Sequence, residues 1–176
     1  MIETTSGYQM IVEHYGDRTT RRSLVPLINH IHEGLEILDR LETDLTTKEA
    51  YAVHPLFQAD DDLRANFTKI DRLDNMVAAY AMEYRNVAND FLSNQVATGP
   101  NAWGREETYP LKPLRLSPIP AVNNMLIADK VQNRKDFIAF HQPTHPRSRE
   151  LTFYFEHWLK RLGVSEERYQ ELIDGL

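Results

Sequence analysis

Apolar residues recur along the chain at steps of three and four, the period of an amphipathic helix, and alternating strand patterns are few. In Arg21–Glu42, the residues Leu27, Ile28, Ile31, Leu35, Leu38 and Leu41 share one stripe, with Pro26 near the first turn, where a missing N–H costs little. A short apolar stretch, Ala50–Phe57, follows Thr46 and Glu49, which have capping-box spacing. Asp60–Ile70 reads as another helix. Leu73–Phe91 carries Leu73, Met76, Val77, Tyr80, Tyr84, Val87 and Phe91 on one face, with Asp71 or Asp74 as cap. Helical periodicity returns at Ala121–Phe140 and Glu150–Leu162, followed by Gly163 as a C′ residue and a last helix capped by Ser165. Between these lie two breaks, Ser93–Pro120 and His141–Pro146. The first holds Gly99, Pro100, Gly104, Pro110, Pro113, Pro118 and Pro120, a density that no long helix survives. The pattern predicts an all-α, compact single-domain helical bundle over residues 1–176, with about seven or eight helices and a Pro/Gly-rich loop at about 94–120.

Composition narrows the chemistry. The chain has 176 residues and no cysteine, so thiolate metal sites, iron–sulfur clusters and thiol nucleophiles are excluded, and any metal must rest on histidine and carboxylate. A net charge of −6 argues against general nucleic-acid binding, which needs a basic face. No apolar run is long enough to cross a bilayer, and the first 17 residues lack the basic and apolar regions of a secretory signal. The expectation is a soluble, cytoplasmic protein without membrane contact.

Four of the seven histidines, His30, His32, His54 and His141, fall at informative places. On a helix, His30 and His32 lie roughly 200° apart and cannot serve one metal together. Gly34, one turn beyond His30, leaves open space beside that imidazole, and a glycine inside a helix usually has a packing or site reason. His54 ends the apolar run Ala50-Tyr-Ala-Val-His. Asp129, Asn133 and Asp136 share one face of a later helix. Taken singly, each histidine reads first as a satisfied core or surface residue.

Three segments in order resemble the HD superfamily, and more narrowly the hydrolase domain of the Rel/SpoT alarmone enzymes and their small metazoan homologues. They are Arg21 or Arg22 followed by Pro26-Leu-Ile-Asn-His30, then Ala52-Val-His54, then Ala128-Asp129-Lys130 with Asn133. The aromatic segment Tyr154-Phe-Glu-His-Trp is similar to the family's closing helix, and the likeness spans residues 18–160. The resemblance implies an HD-type bundle. It implies a divalent metal, manganese foremost, on His30, His54 and Asp129, and a nucleotide held by Arg21, Lys130, Asn133 and Tyr154. It implies hydrolysis of an alarmone-like or related nucleotide phosphate. The chain departs from the family at the motif that names it. Pro55 stands where the family has the aspartate of His-Asp, and Gln58 and Ala59 stand where it has a Glu-Asp pair. Gln58, Asp60 and Asp61 are the nearest groups able to take over that catalytic work. Asp60–Asp62 read first as an acidic helix start suited to the macrodipole, and Gln58 reads either as a solvent-facing residue or as a nucleotide-contacting amide. A catalytically inactive binding or structural module is the alternative to a divergent hydrolase.

Secondary candidates complete the reading. His141, His145, Arg147 and Arg149, with Arg134 and Lys135, form either a phosphate-contacting rim or an ordinary helix end with surface cations. Arg85 reads as a surface cation. Trp103 and Tyr109 in the Pro/Gly-rich loop suit docking onto the parent domain, or a protein partner or second copy.

Overall fold

The computed structural model describes residues 1–21, 23–90 and 96–176. The expected stripe position Phe91, the start of the Pro/Gly-rich loop at 94–95 and Arg22 lie outside the described residues. Nine α-helices and one two-stranded sheet are present among the described residues. They are α1 (Ser6–Tyr15), α2 (Ile28–Arg40), α3 (Leu45–Val53), α4 (Pro55–Gln58), α5 (Asp60–Asn66), α6 (Asn75–Asp90), β1 (Val96–Pro100), β2 (Glu106–Pro110), α7 (Pro120–Asp136), α8 (Ser148–Arg161) and α9 (Glu166–Ile173). The molecule is therefore mainly helical rather than strictly all-α.

α7 is the central helix and packs on α2, α3, α6, α8 and α9. Its residues Val122, Met125, Leu126, Ala128 and Val131 are buried, and so are three polar ones, Asp129, Lys130 and Gln132. A helix enclosed on nearly all sides shows little amphipathic contrast, so its polar buried residues need partners across the bundle. The buried apolar side chains form one cluster that runs from Met10 and Ile11 to Tyr169 and Leu172.

Several local expectations change. α1 carries no strong apolar stripe in the sequence, yet Thr5 caps it and Gly7 lets it lie against α3, where a Cβ would stand 2.7 Å from Glu49 and Val53. Glu49 accepts from the Gly7 N–H at 2.8 Å, so it caps α1 across the interface and forms no capping box with Thr46. The cap of α3 is Asp44, which accepts from the Thr47 N–H at 2.7 Å and the Thr47 hydroxyl at 2.6 Å. α2 begins at Ile28, not near Arg21. Thr19 pairs with Pro26 in an isolated bridge and the Thr20 N–H donates to the Val25 carbonyl at 2.8 Å, and proline disfavours helical backbone in the residue before it. Asp74 is the acidic residue that starts α6, accepting from the Met76 N–H at 2.8 Å. Pro55 does end α3, and it opens the four-residue α4 at a position where no N–H is needed.

The Pro/Gly-rich segment also holds a hairpin. β1 and β2 pair antiparallel from Val96 with Pro110 to Pro100 with Glu106. Its tip is organised by the Asn101 side chain, which accepts from the N–H groups of Trp103 and Arg105 at 3.0 Å, with Gly104 at φ +72°. Trp103 is 83% exposed, so it does not dock onto the parent domain. No helix among the described residues is long and apolar enough to cross a membrane.

Candidate functional site

The cluster is built from three helix segments around α7. His30 lies in the first turn of α2, His54 joins α3 to α4, and Asp129 sits mid-way along α7. One ligand atom from each lies within 4.8 Å of the other two. His30 Nε2 is 3.6 Å and His54 Nε2 3.8 Å from the same carboxylate oxygen, Asp129 Oδ1. His32 points elsewhere, bonded to the Tyr8 hydroxyl at 2.9 Å on the exposed side of α2.

Packing brings the two imidazoles together through Tyr51. Its hydroxyl donates to the His30 carbonyl at 3.2 Å, and its own carbonyl lies 2.6 Å from His54 Nδ1. Gly34 makes this approach feasible. A Cβ there would meet the Tyr51 hydroxyl at 1.9 Å, so the space beside His30 is filled by tyrosine instead of standing open. A carbonyl only accepts, so His54 Nδ1 carries the proton and Nε2 offers a lone pair to the cluster. Burial lowers the pKa of His54 to about 3, against the pull of Asp129, so its imidazole is neutral. His30 Nδ1 lies 2.6 Å from Gln132 Oε1, which leaves its Nε2 facing Asp129.

Asp129 is buried. Burial opposes its ionisation, but the Lys130 ammonium beside it outweighs that and holds its carboxyl far below the usual carboxylate range. Asp129 Oδ2 accepts from Lys130 Nζ at 2.6 Å, and Oδ1 accepts from Asn133 at 2.8 Å. Lys130 is 5% exposed, and its burial is offset by Asp129, so it stays charged. It also hydrogen-bonds Tyr154, and its Nζ lies 5.5 Å and 5.3 Å from the ring centroids of Tyr154 and Trp158.

The resulting donor set suits a divalent cation. The His54 lone pair, the His30 Nε2 and a carboxylate oxygen face one another. Neutral imidazole and carboxylate are hard-to-borderline ligands for manganese, iron or zinc. The outer nitrogen of each imidazole is already engaged, as in metal sites where a second group orients the ligand. His30, His54 and Asp129 would be the residues that hold the ion.

The cluster lies in a cleft of about 790 Å³. Tyr15, Val25, Pro26, Leu27, Leu151, Tyr154 and Phe155 line it. Gln58 and Asp136 also line it. Of the residues expected to bind or act, the cleft thus gathers His30, His54, Asp129, Lys130, Asn133, Tyr154 and Gln58. Arg21 is exposed and lies outside the lining. Asp60 and Asp61 are not brought to the cluster. Asp60 pairs with Arg85, and Asp61 pairs with Arg64 at 2.9 Å on the surface. Arg85 is no surface cation: its side chain is 19% exposed and it caps α4 through the carbonyls of Phe57 and Gln58. Asn89 donates to the same Gln58 carbonyl at 2.9 Å.

The basic residues of the last turn of α7 and the start of α8 form no open phosphate rim. Arg134 pairs with Glu166 at 2.8 Å, Lys135 with Glu33 at 2.7 Å, Arg147 with Glu150 at 2.6 Å and Arg149 with Glu106 at 3.0 Å. Tyr51, Gln132 and Tyr15 are site residues that sequence reasoning missed. Tyr51 and Gln132 act across helix interfaces, which spacing along one helix does not reveal. Comparison with family models, with curated proteins and with solved structures finds no match to this chain.

Proposed function

We propose that the protein is a divalent-metal-dependent phosphohydrolase of divergent HD type, acting on a nucleotide phosphate. The observation that carries this reading is the convergence of His30, His54 and Asp129, within 4.8 Å of one another, at a cleft that also holds buried Lys130. A bound divalent cation supplies a Lewis acid and a water of lowered pKa. The chain's own residues do the rest. Lys130 and Asn133 keep Asp129 ionised and fixed in direction. Tyr15, Leu27, Tyr154 and Phe155 in the cleft lining offer apolar and aromatic surface to a nucleoside. Gln58 sits where the resembled family has a carboxylate. An amide takes no proton at neutral pH, so Gln58 would orient an attacking water rather than deprotonate it.

Charge favours a substrate with few phosphates. Among the described residues lining the cleft Lys130 is the one Lys or Arg, Asp129 already pairs with it, and Asp136 adds a further carboxylate. One divalent ion would then balance about one phosphoryl group, and a polyphosphate tail would meet no further cation there. The purified protein should bind Mn²⁺ and release phosphate from a nucleoside monophosphate. Its kcat/KM for that substrate should be at least ~10-fold higher than for the matching triphosphate or for guanosine tetraphosphate. Asp129→Ala should abolish both binding and release.

The replacement of acidic groups by Pro55, Gln58 and Ala59 favours one second reading, an inactive binding module. Saturable nucleotide binding without phosphate release, with or without Mn²⁺, would establish it in place of the hydrolase.

A further inference from the structure

Gln132 is fully buried and stands at one of the two unspecified positions between Lys130 and Asn133 in the third family-like segment. Its amide is bonded at both ends. Nε2 donates to Glu33 Oε2 at 3.0 Å and to Asp136 Oδ2 at 2.7 Å. Oε1 faces His30 Nδ1 at 2.6 Å. The oxygen and nitrogen ends of an amide are normally assigned by their neighbours. Here two carboxylates, one on α2 and one on α7, decide the assignment. A flipped amide would set its oxygen against both carboxylates and lose both bonds. With Oε1 held toward His30, Nδ1 must carry a proton, so the neutral imidazole presents its Nε2 lone pair to Asp129.

We infer that Gln132 is a positioning residue that locks His30 in its Nδ1–H tautomer, with Glu33 and Asp136 setting the direction of the amide. Lys135 fixes the outer layer, with Nζ 2.7 Å from Glu33 Oε1 and 3.5 Å from Asp136 Oδ1. The lock runs from a partly exposed ion pair to a buried amide, then to the imidazole. His54 needs no equivalent because the Tyr51 carbonyl, part of the main chain, does the same work. The side-chain lock is therefore the one of the two that a substitution can remove. This inference rests on the metal reading only for its consequence, since the tautomer is a property of the metal-free chain.

The test is nitrogen-15 NMR of the imidazoles in metal-free protein, well above the ordinary histidine pKa of about 6.5, together with calorimetric titration of Zn²⁺. Wild-type His30 should show a protonated Nδ1 and an unprotonated Nε2. Gln132→Leu should mix the tautomers and weaken Zn²⁺ binding by at least ~10-fold, with the helical circular dichroism unchanged. A wild-type His30 protonated at Nε2 overturns the inference, and so does Gln132→Leu with unaltered tautomer and affinity. The wild-type spectrum decides the matter alone if Gln132→Leu does not fold. A wild type with the Nδ1–H tautomer that binds no Zn²⁺ or Mn²⁺ leaves the lock standing and sinks the phosphohydrolase reading instead.

Discussion

At the scale of single residues, Gly34 and Tyr51 govern the separation of the two histidines. Glycine is a poor helix former, so Gly34→Ala would ordinarily gain up to about 1 kcal/mol. Here the added methyl would lie 1.9 Å from a tyrosine hydroxyl that is itself fully buried. Overpacking of this kind costs about 1–3 kcal/mol, so Gly34→Ala should lower the urea midpoint despite its better propensity. A midpoint equal to or above wild type would show that Tyr51 yields freely. The sequence marked Gly34 as meaningful and singled out His30, His54 and Asp129, which the fold brings within 4.8 Å of one another. It could not show what fills the notch. Tyr51 comes from another helix, and its position in its own helix reads as plain core. Gln132 was hidden in the same way: its partners Glu33 and His30 lie about a hundred positions earlier in the chain.

At the scale of elements, helix periodicity located the long helices well and their ends less well. α3 illustrates why. Thr46 and Glu49 have the spacing of a capping box, but Asp44 takes the cap and Glu49 is drawn away to the N-terminus of α1. Two bonds to Thr47 pull the Asp44 pKa below its ordinary value, the Thr47 hydroxyl contributing most. Asp44→Ala should therefore destabilise the protein by about 1 kcal/mol at neutral pH. A carboxylate with a depressed folded pKa stabilises fully above the unfolded value, near pH 4, and loses that contribution as pH falls through the folded one. The wild-type advantage should shrink in that acid window, as read by thermal unfolding of the two proteins side by side. A difference that does not change with pH would exclude the ionised cap. The hairpin was not legible at all, because its strands are rich in Gly, Pro and Glu. It is shaped instead by its tip, where one asparagine side chain gathers two backbone N–H groups.

At the scale of the whole molecule, the helical character followed from the periodicity because one helix, α7, is surrounded and the others must turn an apolar face to it. The same arrangement explains why polar residues concentrate on α7. A central helix reaches every partner at once, so Asp129 meets ligands from α2 and from the α3–α4 junction, and Gln132 meets α2. The two tryptophans sit at opposite extremes of this arrangement. Trp158 is fully buried, 5.3 Å from Lys130 Nζ, and Trp103 stands 83% exposed at the hairpin tip. The protein therefore carries two built-in optical probes that do not overlap. Iodide should quench the red-shifted emission of Trp103 and spare the blue-shifted emission of Trp158, and uniform quenching of both would contradict the placement. With Trp103→Phe, the remaining indole light comes from Trp158, whose ring centroid lies 5.3 Å from Lys130 Nζ, so a divalent cation added to the protein and held beside Asp129 should shift its colour without a label.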